Sequence, residues 1–158
     1  MSADERAANP AHRLHELLAR VVDACGLEAS VRVEDDDEAL RATVDGEDLG
    51  LLIGRHGQTI DALEHLASRI TFGDDDERKR VIVDAAGYRA RRAEVLERQA
   101  DRAVQEAVRY GRPVALDALV ASERRLVHEY LRDQPQVETY SEGDEPNRHL
   151  VVAPIVEE

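Results

Sequence analysis

The sequence predicts an α+β fold made of two small domains in succession. Apolar residues recur at helical spacing in several segments, and shorter segments alternate between apolar and polar residues as strands do. The pattern breaks at residues 85–87. Before the break the predicted order is α-β-β-α-α-β, and after it a long helix, a short strand, a helix and a β-hairpin. A length of 158 residues suits two small domains, and the different element orders argue against an internal repeat.

The elements of the first domain follow from the spacing of apolar residues and from the glycines and polar runs between them. They are a helix from Pro10 that Gly26 closes, strands over 29–33 and 39–44, a short helix over 49–53, a longer helix over 58–72 and a strand over 80–84. The acidic runs over 34–38 and 74–77 are expected in connecting turns. Residues 1–9 are expected to be a disordered, polar start. The longer helix is expected to face the core with Ile60, Leu63, Leu66, Ala67 and Ile70.

The second domain is predicted to begin with a helix from about Tyr88 to Tyr110, which Gly111 and Pro113 end. Its apolar stripe consists of Val95, Leu96, Ala100, Ala103, Val104 and Ala107. The remaining elements are a short strand over 114–116, a helix to about residue 133, and a hairpin formed by 136–141 and 149–152. These elements predict a first domain at 10–86, a second at 87–154 and a tail at 155–158.

Composition excludes several classes of protein. Hydrophobic residues make up 42% of the chain, which is enough for a core, although one Phe and no Trp make that core aliphatic. A single cysteine, Cys25, excludes an internal disulfide and a multi-cysteine zinc site, and is expected to be a small buried residue of the first helix. The histidines lack metal-ligand spacing, so no metal and no other cofactor is predicted. Without a long apolar run or a visible secretory leader, we expect no membrane insertion and a cytosolic location.

The most informative motif is the loop Gly54-Arg55-His56-Gly57, which follows the apolar run 51–53 and precedes an amphipathic helix. Glycines have no Cβ, so a sugar-phosphate backbone can lie against such a loop. The helix behind it directs unpaired N–H groups and a positive dipole end at a phosphate. A Gly-x-x-Gly loop of this kind clamps four nucleotides in KH domains. Without the flanking pattern, a tight turn with no ligand would be the ordinary interpretation. The groove beside the loop is expected to be lined by Ile53, Ile60, Thr43 and Val44.

A second signal lies in the helix that contains Arg124 and His128. These residues are four apart, so their side chains share one face of the helix, away from its apolar stripe. A guanidinium and an imidazole that point the same way suit a phosphate or a base. Taken alone, the pair is a weak signal, because most such pairs occur by chance on ordinary solvated helices.

Three motifs in order give the sequence a resemblance to a known family. They are the Ile-Gly-x-x-Gly run, Glu123-Arg124-Arg125-Leu126-Val127-His128, and the run from Glu138 to Arg148 that contains Thr-Tyr-Ser-Glu-Gly-x-Glu-Pro-Asn-Arg. Residues 10 to 154 resemble the bacterial Jag family, also called KhpB, EloR or SpoIIIJ-associated protein. The resemblance implies a type II KH domain, with a three-stranded sheet backed by helices, followed by an R-three-H domain. It also implies RNA binding, a link to cell elongation and division, and a small single-KH protein as a partner.

The sequence departs from the family pattern at two places. Many members carry an additional N-terminal Jag domain and a charged linker, and this chain is expected to lack that domain because it starts close to the KH module. Many members also have Asn-Pro-aromatic before the signature helix, where this chain has Val120-Ala121-Ser122. Ser122 or Asp117 is expected to cap the helix instead.

The formal net charge of −13 opposes strong binding to a polyanion. The charge is uneven, since residues 1–87 hold 20 acidic and 10 basic residues, and the two acidic runs contribute 9 of those acids. If these runs lie in loops away from the glycine loop, binding remains feasible. The basic residues cluster at 78–80, at Arg89, Arg91 and Arg92, and at Arg124 and Arg125. We therefore expect modest, salt-sensitive affinity.

The sequence thus predicts a protein that binds single-stranded RNA, or single-stranded DNA at the R-three-H half, and that is able to form homo-oligomers. The predicted contact residues are Gly54, Arg55, His56, Gly57, Arg124 and His128, with Arg125, Arg148, Lys79 and Arg80 as further candidates. No Gly-x-Ser-x-Gly elbow or phosphate-binding Gly-x-x-x-x-Gly-Lys loop is present, so no catalytic activity is predicted. The alternative is a protein-interaction adaptor. Replacing both loop glycines by Asp is expected to abolish RNA binding and to leave the fold intact.

Overall fold

A computed structural model describes residues 9–73 and 79–155 of the chain. The chain divides into two compact units, one extending to Arg89 and the other beginning at Ala90. The disordered start expected at 1–8, the acidic run at 74–77 with Arg78, and the tail at 156–158 lie outside the described residues.

The first unit has the predicted element order α-β-β-α-α-β. Its elements are α1 (Pro10–Ala24), β1 (Ala29–Asp35), β2 (Ala39–Gly46), α2 (Gly50–Ile53), α3 (Gln58–Phe72) and β3 (Arg80–Ala85). A single 3₁₀ turn, Arg55–Gly57, joins α2 to α3. The sheet order is β1-β2-β3, with β1 antiparallel and β3 parallel to the central strand β2. This is the arrangement that the resemblance implied for a type II KH domain.

Both ends of α1 are set by local side-chain and backbone chemistry. Asn9, which was expected in the disordered start, is instead the N-cap, and its Oδ1 accepts a hydrogen bond of 2.9 Å from the Ala11 N–H. Pro10 follows at the first helical position, where a missing N–H costs nothing. At the other end Gly26 has φ 66°, as predicted for a closing glycine. Cys25 is exposed at the C-cap and is not the buried residue that was expected.

The core of the first unit lies between the sheet and helices α1 and α3. Its fully buried side chains include Leu14, Leu18, Leu40, Leu52, Ile60, Val44 and Val83. The inward face of α3 consists of Ile60, Leu63, Ala67 and Thr71. The prediction that Leu66 and Ile70 also face inward is wrong, because each is more than half exposed. They lie one residue before the buried Ala67 and Thr71, which is about 100° around the helix.

The outer edge of β3 is covered by side chains and not left open. Glu64 Oε2 accepts the Val83 N–H at 2.8 Å, and Arg89 Nε donates to the Val83 carbonyl at 2.8 Å. The same guanidinium donates to Asp61 at 2.9 Å and to Glu64 at 2.8 Å. An unpaired strand edge is a template for unwanted pairing, and this cover blocks it. Arg89 therefore has a structural role in the first unit.

Only part of the first acidic run forms the β1–β2 turn. Strand β1 continues through Asp35, so the turn begins two residues later than the run suggests. Asp36 closes the turn, because its carboxylate accepts the N–H groups of Glu38 at 2.9 Å and Ala39 at 2.8 Å and the Arg41 Nε at 3.0 Å. These bonds, led by that from Glu38, hold the pKa of Asp36 below its ordinary value.

The second unit also has the predicted element order. Helix α4 (Tyr88–Tyr110) is followed by β4 (Val114–Ala118), α5 (Ala121–Leu131), β5 (Val137–Glu142) and β6 (His149–Pro154). The sheet is antiparallel with order β4-β6-β5, so β6 is central. Buried side chains of α4, α5 and the sheet form the core, among them Leu96, Ala100, Ala107, Val127, Leu131 and Val152. No helix within 9–73 and 79–155 has the length and apolar character to cross a membrane.

Helix α5 is fixed at its start by a buried ion pair and not by a polar cap. The N-cap is Val120, so neither Ser122 nor Asp117 occupies the cap position, and that expectation is wrong. Instead, the nearly buried Glu123 accepts a hydrogen bond of 2.6 Å from Arg92 Nε on α4. An acidic residue in the first turn also complements the helix dipole.

Candidate nucleic-acid interface

The Gly-x-x-Gly loop depends on left-handed backbone angles. Gly54 has φ 73° and ψ 179°, and Gly57 has φ 77° and ψ 12°. A Cβ on Gly54 would lie 2.1 Å from Thr59 Oγ1, and one on Gly57 would lie 2.9 Å from Tyr88 Cε1. Both glycines are therefore required by the packing of the loop itself, before any ligand is considered. The expectation that Asp at both positions leaves the fold intact does not agree with these contacts.

The tip of the loop presents two exposed cationic or protonatable side chains, Arg55 and His56. Arg55 forms no side-chain ion pair with any residue in the described part of the chain. His56 has φ 54°, which is unusual for a residue with a side chain. Such backbone strain, of about 1 kcal/mol or more, is found where a fold must hold a side chain in one place.

The N-terminus of α3 opens onto this loop without a capping side chain. Its N-cap is Gly57, which has none to offer. The first N–H groups of a helix have no partner within the helix and carry the positive end of its dipole. The one acidic residue in the first turn, Asp61, is neutralised by Arg89 at 2.9 Å. An anion at this helix end would meet donors and little opposing charge.

The apolar groove predicted beside the loop is partly core. Ile60 and Val44 have no exposed surface and belong to the buried cluster, so neither lines a groove. Ile53 and Thr43 are half-buried and keep some accessible surface.

Lys79 and Arg80 lie at the end of the sheet remote from the loop. They stand at the start of β3, where the Lys79 ammonium donates to Asp35 at 2.6 Å. This bond raises the pKa of Lys79. The loop packs through Gly57 against Tyr88, which follows the other end of β3. A strand of six residues separates the two positions by roughly 17 Å. The acidic β1–β2 turn lies at the same remote end, as expected.

A second concave surface lies in the other unit, between α5 and the edge strand β5. It is an open pocket of about 330 Å³, lined by Ala121, Arg124, Arg125, His128, Thr139, Tyr140, Ser141 and Leu150. The pocket brings together the signature pair, the adjacent arginine and three hydroxyl-bearing residues of β5. Sequence reasoning did not select Thr139, Tyr140 and Ser141 as site residues. The available signal was their position in the most specific family motif.

The two adjacent arginines of this pocket have different environments. The Arg124 side chain is only 10% exposed, and it donates to the Leu119 carbonyl and to Glu145 Oε1, each at 2.5 Å. It thereby ties the start of α5 to the β5–β6 connection. The Arg125 side chain is 81% exposed and makes one weak contact, 3.3 Å, with Glu129 on the same helix. Arg125 is the guanidinium that is free to meet a ligand.

His128 and Tyr140 complete the exposed part of the pocket. The Nδ1 atom of His128 lies 2.5 Å from Thr139 Oγ1, which orients the ring and leaves Nε2 for a ligand. Tyr140 is exposed and presents an aromatic ring. Arg148, by contrast, does not line the pocket, and its backbone carbonyl accepts the Leu119 N–H at 3.1 Å.

The two units and their sites define a class of protein, one in which a KH domain is followed by an R-three-H domain. Residues 12–84 match the family model of the KhpA/KhpB KH domain, and residues 94–154 match that of the R-three-H domain. Within 9–73 and 79–155 no group of three or more His, Cys, Asp or Glu side chains is placed to hold a metal ion.

Relatives that match most of the chain show the family to which it belongs. The chain is 34% identical to the RNA-binding protein KhpB of Clostridium symbiosum over 140 residues, and this match covers 87% of this chain and 63% of that protein. It is 36% identical over 140 residues to KhpB of Lactiplantibacillus plantarum, 89% of this chain and 44% of that protein. It is 31% identical over 147 residues to KhpB of Bacillus subtilis, 92% of this chain and 71% of that protein. The chain belongs to the KhpB family, which is not a family of enzymes.

Proposed function

We propose that this chain binds single-stranded RNA, with the glycine loop clamping the backbone and the pocket of the second unit holding a nucleotide of its own. The proposal rests chiefly on one observation. An exposed guanidinium, an imidazole and a phenol ring line a single pocket of about 330 Å³ in the unit that matches the R-three-H family. The names of the relatives, which call them RNA-binding proteins, support the same function.

At the loop, recognition would depend on the backbone of the RNA. A phosphate oxygen would accept N–H groups from the first turn of α3, and the exposed Arg55 and His56 would add charge and hydrogen bonds. None of these groups reads a base edge, so this contact is expected to tolerate many sequences.

In the pocket, each exposed group suits a different part of a nucleotide. Tyr140 offers a face for base stacking, Arg125 suits a phosphate, and Nε2 of His128 suits a phosphate or sugar hydroxyl. Arg124 would act by positioning the β5–β6 connection and not as the main phosphate contact, because most of its side chain is buried. A ribose 2′-hydroxyl at His128 would favour RNA over DNA.

The acidic composition sets an upper limit on affinity. With two or three phosphate contacts, log K should fall with log salt concentration with a slope of about −2. Raising the salt fourfold should then weaken binding about fifteen-fold. The acidic β1–β2 turn, at the sheet end remote from the loop, would not block this contact.

The test is fluorescence anisotropy with a labelled single-stranded RNA of mixed sequence and the DNA of the same sequence. Arg125→Ala is compared with Arg132→Ala, since both arginines are exposed and both contact Glu129, at 3.3 Å and 3.5 Å. Only Arg132 lies outside the pocket lining. We expect Arg125→Ala to weaken RNA binding several-fold and Arg132→Ala to have little effect. Equal losses in both variants would show that only net charge matters, which would refute a pocket contact.

A second candidate function is association with another protein, and an exposed apolar pair on α3 favours it. Leu66 and Ile70 lie one helical turn apart and are each more than half exposed. A small single-KH protein or a second copy of this chain would fit such a surface. Light scattering after size exclusion, with Leu66→Gln/Ile70→Gln as the variant, tests this. A monomeric wild type that also fails to shift with a single-KH protein would exclude it. A role in post-transcriptional regulation of cell elongation and division would require a deletion phenotype that the RNA-binding variants reproduce.

A further inference from the structure

The outer face of α4 carries a second open pocket that no family motif includes. Its volume is about 410 Å³, and it is lined by Arg102, Gln105, Glu106, Arg109 and Tyr110. None of these residues lines the pocket between α5 and β5. Their spacing of three and four residues places them on one face of the helix, beside the stripe that contains the buried Ala103 and Ala107.

An aromatic ring in contact with two guanidiniums distinguishes this face from an ordinary solvated helix. The Arg109 Cζ lies 5.4 Å from the centroid of the Tyr110 ring, and the Arg112 Cζ lies 5.5 Å from it. Both distances are within the range of a cation–π contact. The ring is nevertheless 57% exposed, so a large part of it remains open to a ligand. Tyr110 thus contacts two guanidinium groups and is still exposed to solvent.

The charges of this face are also unusual for a chain with a net charge of −13. Glu106 forms one ion pair, with Arg112 at 3.6 Å. Arg102 and Arg109 form no ion pair with any residue that the structure describes. Two cations without carboxylate partners therefore line the same pocket as an exposed aromatic ring. Aromatic rings stack with bases and guanidiniums contact phosphates, which is the combination that single-stranded nucleic acid requires.

We propose that this face is a further nucleotide site, where one base of single-stranded RNA stacks on Tyr110 and its flanking phosphates contact Arg102 and Arg109. The inference rests on the proposed function, because it adds a contact for the same RNA. It extends the binding surface of the second unit from the α5–β5 pocket to the last turns of α4. Stacking on a ring is tolerant of sequence, so this site would add affinity and little specificity.

The experiment is an anisotropy titration with a fluorescein-labelled oligoadenylate of twelve nucleotides, whose purines stack well. We expect Tyr110→Leu to weaken binding about tenfold, since it removes one stacked base, and Tyr110→Phe to change it less than about twofold. Arg102→Ala/Arg109→Ala should reduce the salt slope by about 1.4, the value for two phosphates. The matched control is Arg98→Ala, which removes an exposed arginine of the same helix that already pairs with Glu94 at 3.8 Å.

Amide chemical shifts of the wild-type protein give an independent reading of the same site. Resonances of residues 102–112 should move when the unlabelled oligoadenylate is added, and this requires no variant to fold. Wild-type affinity in Tyr110→Leu, unmoved resonances, or an equal loss in Tyr110→Phe and Tyr110→Leu would each overturn the inference. In those cases the proposed function would still stand. A wild type that binds no RNA would overturn both.

Discussion

Replacing Arg124 by Ala distinguishes a structural arginine from an RNA contact. The variant removes the hydrogen bond to the buried Leu119 carbonyl, a charge-assisted bond worth about 1.5–3 kcal/mol. It also removes the ion pair with Glu145, whose side chain is 60% exposed, so that pair adds at most about 1 kcal/mol. The sum is about 3 kcal/mol of lost stability in the second unit. For a unit of this size, that lowers Tm by about 12–24 °C.

Near-UV circular dichroism follows this unit, because Tyr110, Tyr130 and Tyr140 all belong to it. Glu145→Gln is the matched control, and it should lower Tm by no more than about 8 °C, since it disturbs only the exposed pair. An Arg124→Ala protein with an unchanged Tm and abolished RNA binding would refute the positioning role and make Arg124 a direct contact.

Two further predictions concern the loop and a tyrosine. Gly54→Ala should destabilise the protein by at least about 1 kcal/mol more than Gly26→Ala in urea unfolding. Both positions have positive φ, but only Gly54 would meet Thr59, and equal losses would contradict this. The hydrogen bond to Asp101 raises the pKa of Tyr130. This hydrogen bond therefore stabilises the fold fully below the ordinary tyrosine pKa of 10.0, and its contribution to the free energy of unfolding is lost as the pH rises through the raised pKa. Ultraviolet titration should therefore show one tyrosine that ionises at a higher pH than an ordinary tyrosine, and Asp101→Asn should abolish this upward shift. Superimposable titration curves for the wild type and Asp101→Asn would contradict the assignment of the shift to Asp101.

Much of the fold could be predicted because local signals agree with tertiary packing. Helix α3 has the predicted bounds, Gln58–Phe72, since glycines stand at both ends and an apolar stripe runs between them. The extent of β1 could not be predicted, because its last residues, Glu34 and Asp35, are acidic and are in the strand only through pairing with β2. Leu66 and Ile70 were misplaced since α3 has more apolar residues than its buried face can hold.

Most residues of the candidate site could be predicted from the sequence, but which of them are structural and which are exposed to a ligand could not. Arg124 and Arg125 are neighbours in the sequence and cannot be distinguished by charge or motif. They point about 100° apart on the helix. Which one is buried depends on the positions of Leu119 and Glu145, which only the folded chain brings together. In the same way, the contact between Gly57 and Tyr88 joins residues far apart in the sequence.

The most direct test of RNA binding is a titration of the wild-type chain with labelled single-stranded RNA at low and at physiological salt. We expect the wild type to bind at low salt, with log K falling against log salt concentration with a slope of about −2 or steeper. We also expect Arg55→Ala/Arg125→Ala to lose more affinity than Arg32→Ala/Arg132→Ala. The second pair removes the same charge from exposed arginines that lie outside the glycine loop and outside the pocket lining. No binding by the wild type at low salt would contradict the account and favour a protein-interaction adaptor.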